Sequence, residues 1–160
     1  MGDGKTAATE RIDSASRVIL ATPRTLFRAF VDPETLIAWR TPDGMSARIE
    51  RFDPRIGGGY RIILRYDASE VPDRGKSGRA GDIADVRFLE LGEDRIVEQV
   101  QFVSADLAFA DPMMLVTTFE PVADGVKVTI TARDVPAVIS PEDHKAGIAG
   151  SLRNLALLTE

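Results

Sequence analysis

Apolar side chains recur along this chain in two rhythms, one of period two and one close to 3.6. Tyr60, Ile62, Leu64 and Tyr66 alternate with Arg61, Ile63 and Arg65, and Val126, Val128 and Ile130 alternate with Lys127, Thr129 and Thr131. Such alternation gives a strand one apolar face. The last stretch differs. Ile148, Leu152, Leu155 and Thr159 follow one another at steps of four, three and four, with His144 one turn earlier. That is the spacing of one helical face. Ala149 and Ala156 lie at one margin of the stripe, and Gly147, Ser151 and Leu158 at the other. Ser140 is placed to cap the helix, Pro141 suits its first position, and Glu142 and Asp143 sit where the helix dipole favours acids. The pattern predicts a helix over 141–159, about 30 Å long at 1.5 Å per residue.

Taken in order, the chain opens with a strand over 12–21, where Val18, Ile19 and Leu20 form an apolar run. Thr22-Pro23 then starts a helix over 23–30, and Asp32-Pro33-Glu34 repeats the signal for a second short helix through Leu36 and Ile37 to Trp39. Pro42-Asp43-Gly44 is a turn. Strands follow over 45–52 and 60–66, separated by Asp53-Pro54-Arg55-Ile56-Gly57-Gly58-Gly59. The polar segment 67–78 reads as a mobile hairpin loop. Strands 83–91 and 95–104 form a hairpin about Gly92-Glu93-Asp94, and 106–111 is a loop. Strands 113–121 and 126–133 form the last hairpin, about Ala123-Asp124-Gly125. Seven strands, two short helices and one long final helix predict an α+β domain. Its antiparallel sheet wraps the final helix, and the short helices close one end.

Composition narrows the function classes. The 160 residues suit one domain over 11–160, after a polar stretch, 1–10, read as a disordered lead-in. A formal net charge of -5 argues against nucleic acid, which usually draws a basic excess. With no Cys, thiol nucleophiles, disulfides and thiolate metal sites are excluded. With one His, a zinc site of several nitrogen and sulfur ligands is excluded too. No metal or cofactor is expected. No apolar run approaches the roughly 18 residues of a membrane span, and the first residues lack the apolar core of a signal peptide. A cytoplasmic location follows by default.

Three local motifs carry a resemblance. Asp32-Pro33-Glu34 with Leu36 and Trp39 resembles the "D-P-E-x-L-x-x-W" motif of the START-like superfamily, also called SRPBCC. Phe52 to Tyr60 resembles its "D-x-R-x-G-G-x-[aromatic]", and Gly147-Ile148 through Leu155-Ala156 its "G-W-x-x-x-L-x-x-L-A". The order β-αα-β6-α is that of the superfamily's helix-grip fold. The motifs resemble those of the bacterial branch similar to the C-terminal domain of the activator of the heat-shock-protein-90 ATPase. Ile148 stands where that family usually has Trp, which should widen or reshape the cavity beside the helix. Gly125-Val126 stands where Gly-Thr is more usual, a minor change.

The candidate chemistry is sparse. His144, near the apolar stripe, reads as a ligand contact or as a half-exposed residue at a helix start. Glu98 shares a strand face with Ile96, Val100 and Phe102, where a carboxylate is costly unless paired or wetted. It reads as a polar group in a cavity, as the partner of an Arg, or as a group exposed by strand twist. Met113 and Met114 suit ordinary packing or an adaptable pocket. Trp39 reads as a core anchor or a cavity wall. The Gly57-Gly58-Gly59 run precedes a strand rather than a helix, so it is a bend or bulge and not a phosphate loop.

The resemblance implies a cavity for a small lipophilic or aromatic ligand between sheet and helix. The strand positions facing it would be Tyr60, Ile62 and Leu64, then Glu98, Val100 and Phe102, then Leu115, Thr117 and Phe119. The helix would add His144, Ile148 and Leu152. An alternative is a cyclase-, aromatase- or hydrolase-like enzyme in which Glu98 and His144 act as acid and base. No catalytic residue is assigned. A co-chaperone-like interaction module ranks last, because the resemblance covers only one domain of the eukaryotic activator. Leu157, opposite the stripe, leaves a homodimer open.

Overall fold

The computed structural model describes residues 11–67 and 81–160. The expected lead-in over 1–10, and all of the expected 67–78 loop except Asp67, lie outside the described residues. The elements are β1 (Ile12–Ile19), α1 (Pro23–Val31), α2 (Pro33–Arg40), β2 (Met45–Asp53), β3 (Gly59–Tyr66), β4 (Gly81–Leu91), β5 (Arg95–Phe102), β6 (Met113–Val122), β7 (Gly125–Arg133) and α3 (Pro141–Thr159). A single 3₁₀ turn, Leu107–Phe109, interrupts the loop before β6.

The helix starts follow from local chemistry. Thr22 Oγ1 accepts from the Thr25 amide at 3.1 Å, Asp32 Oδ2 from the Thr35 amide at 3.0 Å, and Ser140 Oγ from the Asp143 amide at 3.3 Å. Each helix has Pro at its start, where the missing N–H removes no helical hydrogen bond.

The seven strands form one antiparallel sheet in the order β1-β7-β6-β5-β4-β3-β2. The first two strands are therefore its opposite edges, and α1 and α2 carry the chain from one edge to the other. This is the α+β helix-grip architecture. Two register shifts, at Glu50–Asp53 and at Phe88–Glu90, interrupt the ladders, and such irregularities increase bending and twist. Between them the Gly57–Gly59 run forms the turn into β3. A Cβ on Gly59 would stand 1.8 Å from the Val86 carbonyl oxygen, so only glycine permits the β3–β4 approach here.

The inner sheet face and the helices share one core. Trp39 is its anchor: it is fully buried, donates from Nε1 to the Ala29 carbonyl at 2.9 Å, and packs on Phe30 at 4.8 Å between ring centroids. Ile148, Leu152, Leu155 and Ala156 bury the expected face of α3. The run Val18-Ile19-Leu20 divides by face. Ile19 is buried, whereas Val18 and Leu20 are exposed, because strand alternation sends neighbours to opposite sides. Among the described residues, no helix is long and apolar enough to cross a membrane.

Candidate functional site

The long helix does not lie evenly over the sheet. Its backbone comes closest to β1 and α2, and its Asn154 side chain donates to the Trp39 carbonyl at 3.4 Å. Over the middle strands, nearer its N-terminal half, a cleft of about 360 Å³ opens. The floor is the inner sheet face, including Tyr60, Ile62, Leu64, Val100, Phe102 and Leu115. Ala84, Val86, Met113 and Ile130 extend this apolar surface, and Ile139 lies before the helix. The helix contributes Asp143, His144, Gly147, Ile148 and Ser151, while Arg40 and Pro42 enter from the end of α2.

Eight of the twelve residues expected to face a cavity, those six with His144 and Ile148, line this cleft. Glu98, Thr117, Phe119 and Leu152 do not; they are buried in the solid core. Thr117 and Phe119 lie further along β6, where the core is filled from α1: Phe30 meets the Phe119 ring edge-on at 5.7 Å. Leu152 is one turn beyond Ile148, where α3 is packed tightly. Strand alternation says which face a side chain takes, but not where along that face the helix lifts away. Thr117 Oγ1 is buried and has no hydrogen-bond partner among the described residues.

Glu98 is fully buried and paired. Arg40 donates to its two oxygens, at 3.2 Å and 3.5 Å, and the Tyr60 hydroxyl donates at 3.3 Å. Of the readings open from the sequence, the ion pair with an Arg is the one found. The Arg40 guanidinium also stacks over the Trp39 ring at 4.6 Å, a favourable cation–π contact. Burial opposes the Arg40 charge, but the adjacent Glu98 and Tyr60 outweigh it and raise its pKa above the ordinary value. Burial, reinforced by the Glu98 charge, pushes the Tyr60 hydroxyl well above its usual range, so it stays protonated and donates.

The second polar cluster lies at the start of α3. His144 Nδ1 is 2.8 Å from Oδ2 of Asp13, a residue 131 positions away. Asp13 is only 1% exposed and is also held by Arg11, at 2.7 Å and 3.2 Å. Hydrogen bonding from Arg11 keeps the Asp13 carboxyl below its ordinary value against the opposing effect of burial, with His144 assisting. Sequence reasoning missed Asp13, Arg40 and Asp82. One signal was available for Asp13: it occupies the same alternate positions of β1 as Ala15 and Ile19, and so faces the core.

With this geometry in hand, the chain can be set beside known proteins. The family described as activator of Hsp90 ATPase homolog 1-like protein matches residues 20–160. The chain belongs to that family. Among solved structures, this family member is similar to protein CV1439 from Chromobacterium violaceum, at 31% identity and a TM-score of 0.79, with 93% of this chain and 97% of that one covered. It is also similar to Mll3558 from Rhizobium loti, at 24% identity and a TM-score of 0.68, covering 93% and 96%. A protein from Rhodobacter sphaeroides shares the fold at 16% identity and a TM-score of 0.72, covering 93% and 96%. No curated protein matches the chain. Family membership establishes the fold and leaves the chemistry of the cleft to be argued from its residues.

Proposed function

We propose that this chain binds a small lipophilic or aromatic molecule in the cleft between α3 and the inner sheet face. The observation that carries this reading is the cleft itself: about 360 Å³ of space over a largely apolar floor. That volume falls within the range of small-molecule sites, which combine apolar walls with a few placed polar groups. Here the polar groups stand at separate places. Arg40 and Tyr60 belong to the network around Glu98, and His144 to the pair with Asp13.

Ile148 is the residue to alter, because it lines the cleft while remaining 7% exposed. Ile148→Trp should fill the space without unfolding the chain. In calorimetric titration with 2-methylnaphthalene, the wild type should bind and the folded variant should bind at least about tenfold more weakly, as expected when apolar contact area is lost. Equal binding by both proteins would place the site elsewhere. No binding by the wild type would defeat the reading.

A further inference from the structure

We propose that the molecule taken by the cleft carries a neutral hydroxyl, and that this hydroxyl donates a hydrogen bond to Nε2 of His144. The inference rests on the reading that the cleft binds a small apolar molecule, and it specifies the polar end of that molecule.

The first support is the tautomer. Asp13 is buried, receives two hydrogen bonds from Arg11, and meets His144 Nδ1 at 2.8 Å. With its pKa held below the ordinary 3.8, Asp13 is a carboxylate near neutral pH and can only accept. Nδ1 must therefore be the donor. In the neutral imidazole this leaves the lone pair on Nε2.

The second support is position. The His144 ring lines the cleft, and Nε2 has no protein partner among the described residues. Nε2 is not among the buried, unpartnered atoms, and the His144 side chain is 18% exposed, so this acceptor is open to a donor that enters the cleft. A ligand hydroxyl supplies one.

The third support is what surrounds it. Two carboxyl groups, Asp82 and Asp143, also line the cleft. The Arg40 guanidinium is already engaged with Glu98 and stacked on Trp39. An anionic ligand at His144 would meet the neighbouring Asp143 carboxyl and find the Arg40 guanidinium engaged with Glu98, whereas a neutral O–H meets neither obstacle. No bond is made or broken in this proposal; His144 orients the ligand and selects it.

Two experiments test it. His144 is the chain's only histidine, so ¹⁵N-histidine labelling reads this one ring without assignment and without any variant. In the pH range where the ring is neutral, the free protein should show the Nδ1–H tautomer, and the Nε2 signal should move with 2-naphthol but little with 2-methylnaphthalene. In calorimetry the wild type should prefer 2-naphthol over 2-methylnaphthalene by about 5–10-fold, the range of one net hydrogen bond, with 2-naphthoate the weakest. In His144→Phe the ratio of 2-naphthol to 2-methylnaphthalene affinity should fall to about one, whatever happens to the affinity for 2-methylnaphthalene itself. The proposal is overturned by an Nε2–H tautomer of the neutral ring, by 2-naphthoate binding best, or by a preference that survives His144→Phe. Binding of all three probes without preference sinks this inference alone. Failure of all three to bind sinks the binding reading together with it.

Discussion

The Arg40 guanidinium stands 3.2 Å from the carboxylate of Glu98, a residue with no exposed surface. The two are 58 positions apart in the chain, one at the end of α2 and the other in the middle of β5. A carboxylate among Ile96, Val100 and Phe88 is tolerable only with such a partner, since removing a charge from water costs several kcal/mol. Glu98→Ala would leave Arg40 without its counter-charge. The expected loss is about 3 kcal/mol, at the low end for a broken buried pair because Arg40 retains some solvent contact. The double variant Arg40→Met with Glu98→Leu should lose much less than the sum of the single losses. Additive losses in urea denaturation would show that the two side chains are not coupled.

Leu152 is 1% exposed, midway along α3 and opposite the sheet. It lies in the packed part of the core and not in the cleft. Leu152→Ala should therefore cost about 2–5 kcal/mol, through lost transfer energy and an unfilled cavity. A change below about 1 kcal/mol in chemical denaturation would mean that this face of the helix is not core.

Gly59 is required by close approach. A Cβ there would meet the Val86 carbonyl oxygen at 1.8 Å and the Arg87 Cα at 2.9 Å, both backbone atoms of a paired strand. Gly59→Ala should separate β3 from β4 and lower stability by more than about 2 kcal/mol, well beyond ordinary surface substitutions. Gly147→Ala, where nothing lies within 4 Å, should be neutral or slightly stabilising, as expected for alanine in a helix. Thermal denaturation of the pair checks both. Equal melting temperatures would contradict the β3–β4 packing.

Asp13 gives the fold a dependence on acid. Its folded pKa lies below its ordinary 3.8, so near that pH the unfolded chain binds this proton more readily than the folded one. The stabilisation is fully present above 3.8 and fades as pH falls through the lower folded value. Asp13→Asn removes it. The stability gap between wild type and Asp13→Asn, measured by urea denaturation, should be wide at about pH 5 and narrower at about pH 2–3. A gap that does not change over that interval would mean that the Arg11–Asp13–His144 contacts are not maintained in solution.

Much of this architecture is written in short-range pattern. Capping by Thr22, Asp32 and Ser140 involves residues three positions apart. The α3 stripe and the alternation along β3 and β7 need no knowledge of distant parts of the chain. For that reason the boundaries of α3, 141–159, are legible directly, while β1 ends at Ile19, short of the expected Ala21. The local motifs added the wrap of sheet around helix. Glu98 was legible as an anomaly, a carboxylate on an apolar face, but the identity of its partner was not.

The site belongs to the tertiary structure, and the reason is geometric. The cleft exists where α3, drawn toward β1 and α2, parts from the middle of a bent sheet. No periodicity records where that parting begins, so the same alternation placed Leu115 in the cleft wall and Thr117 and Phe119 in solid core. The His144–Asp13 contact needs β1 paired on β7 at one edge, with the start of α3 brought beside it, across 131 residues. Local sequence determined which residues were apolar, capped or extended. Long-range packing decided which polar groups met, and which face was left open.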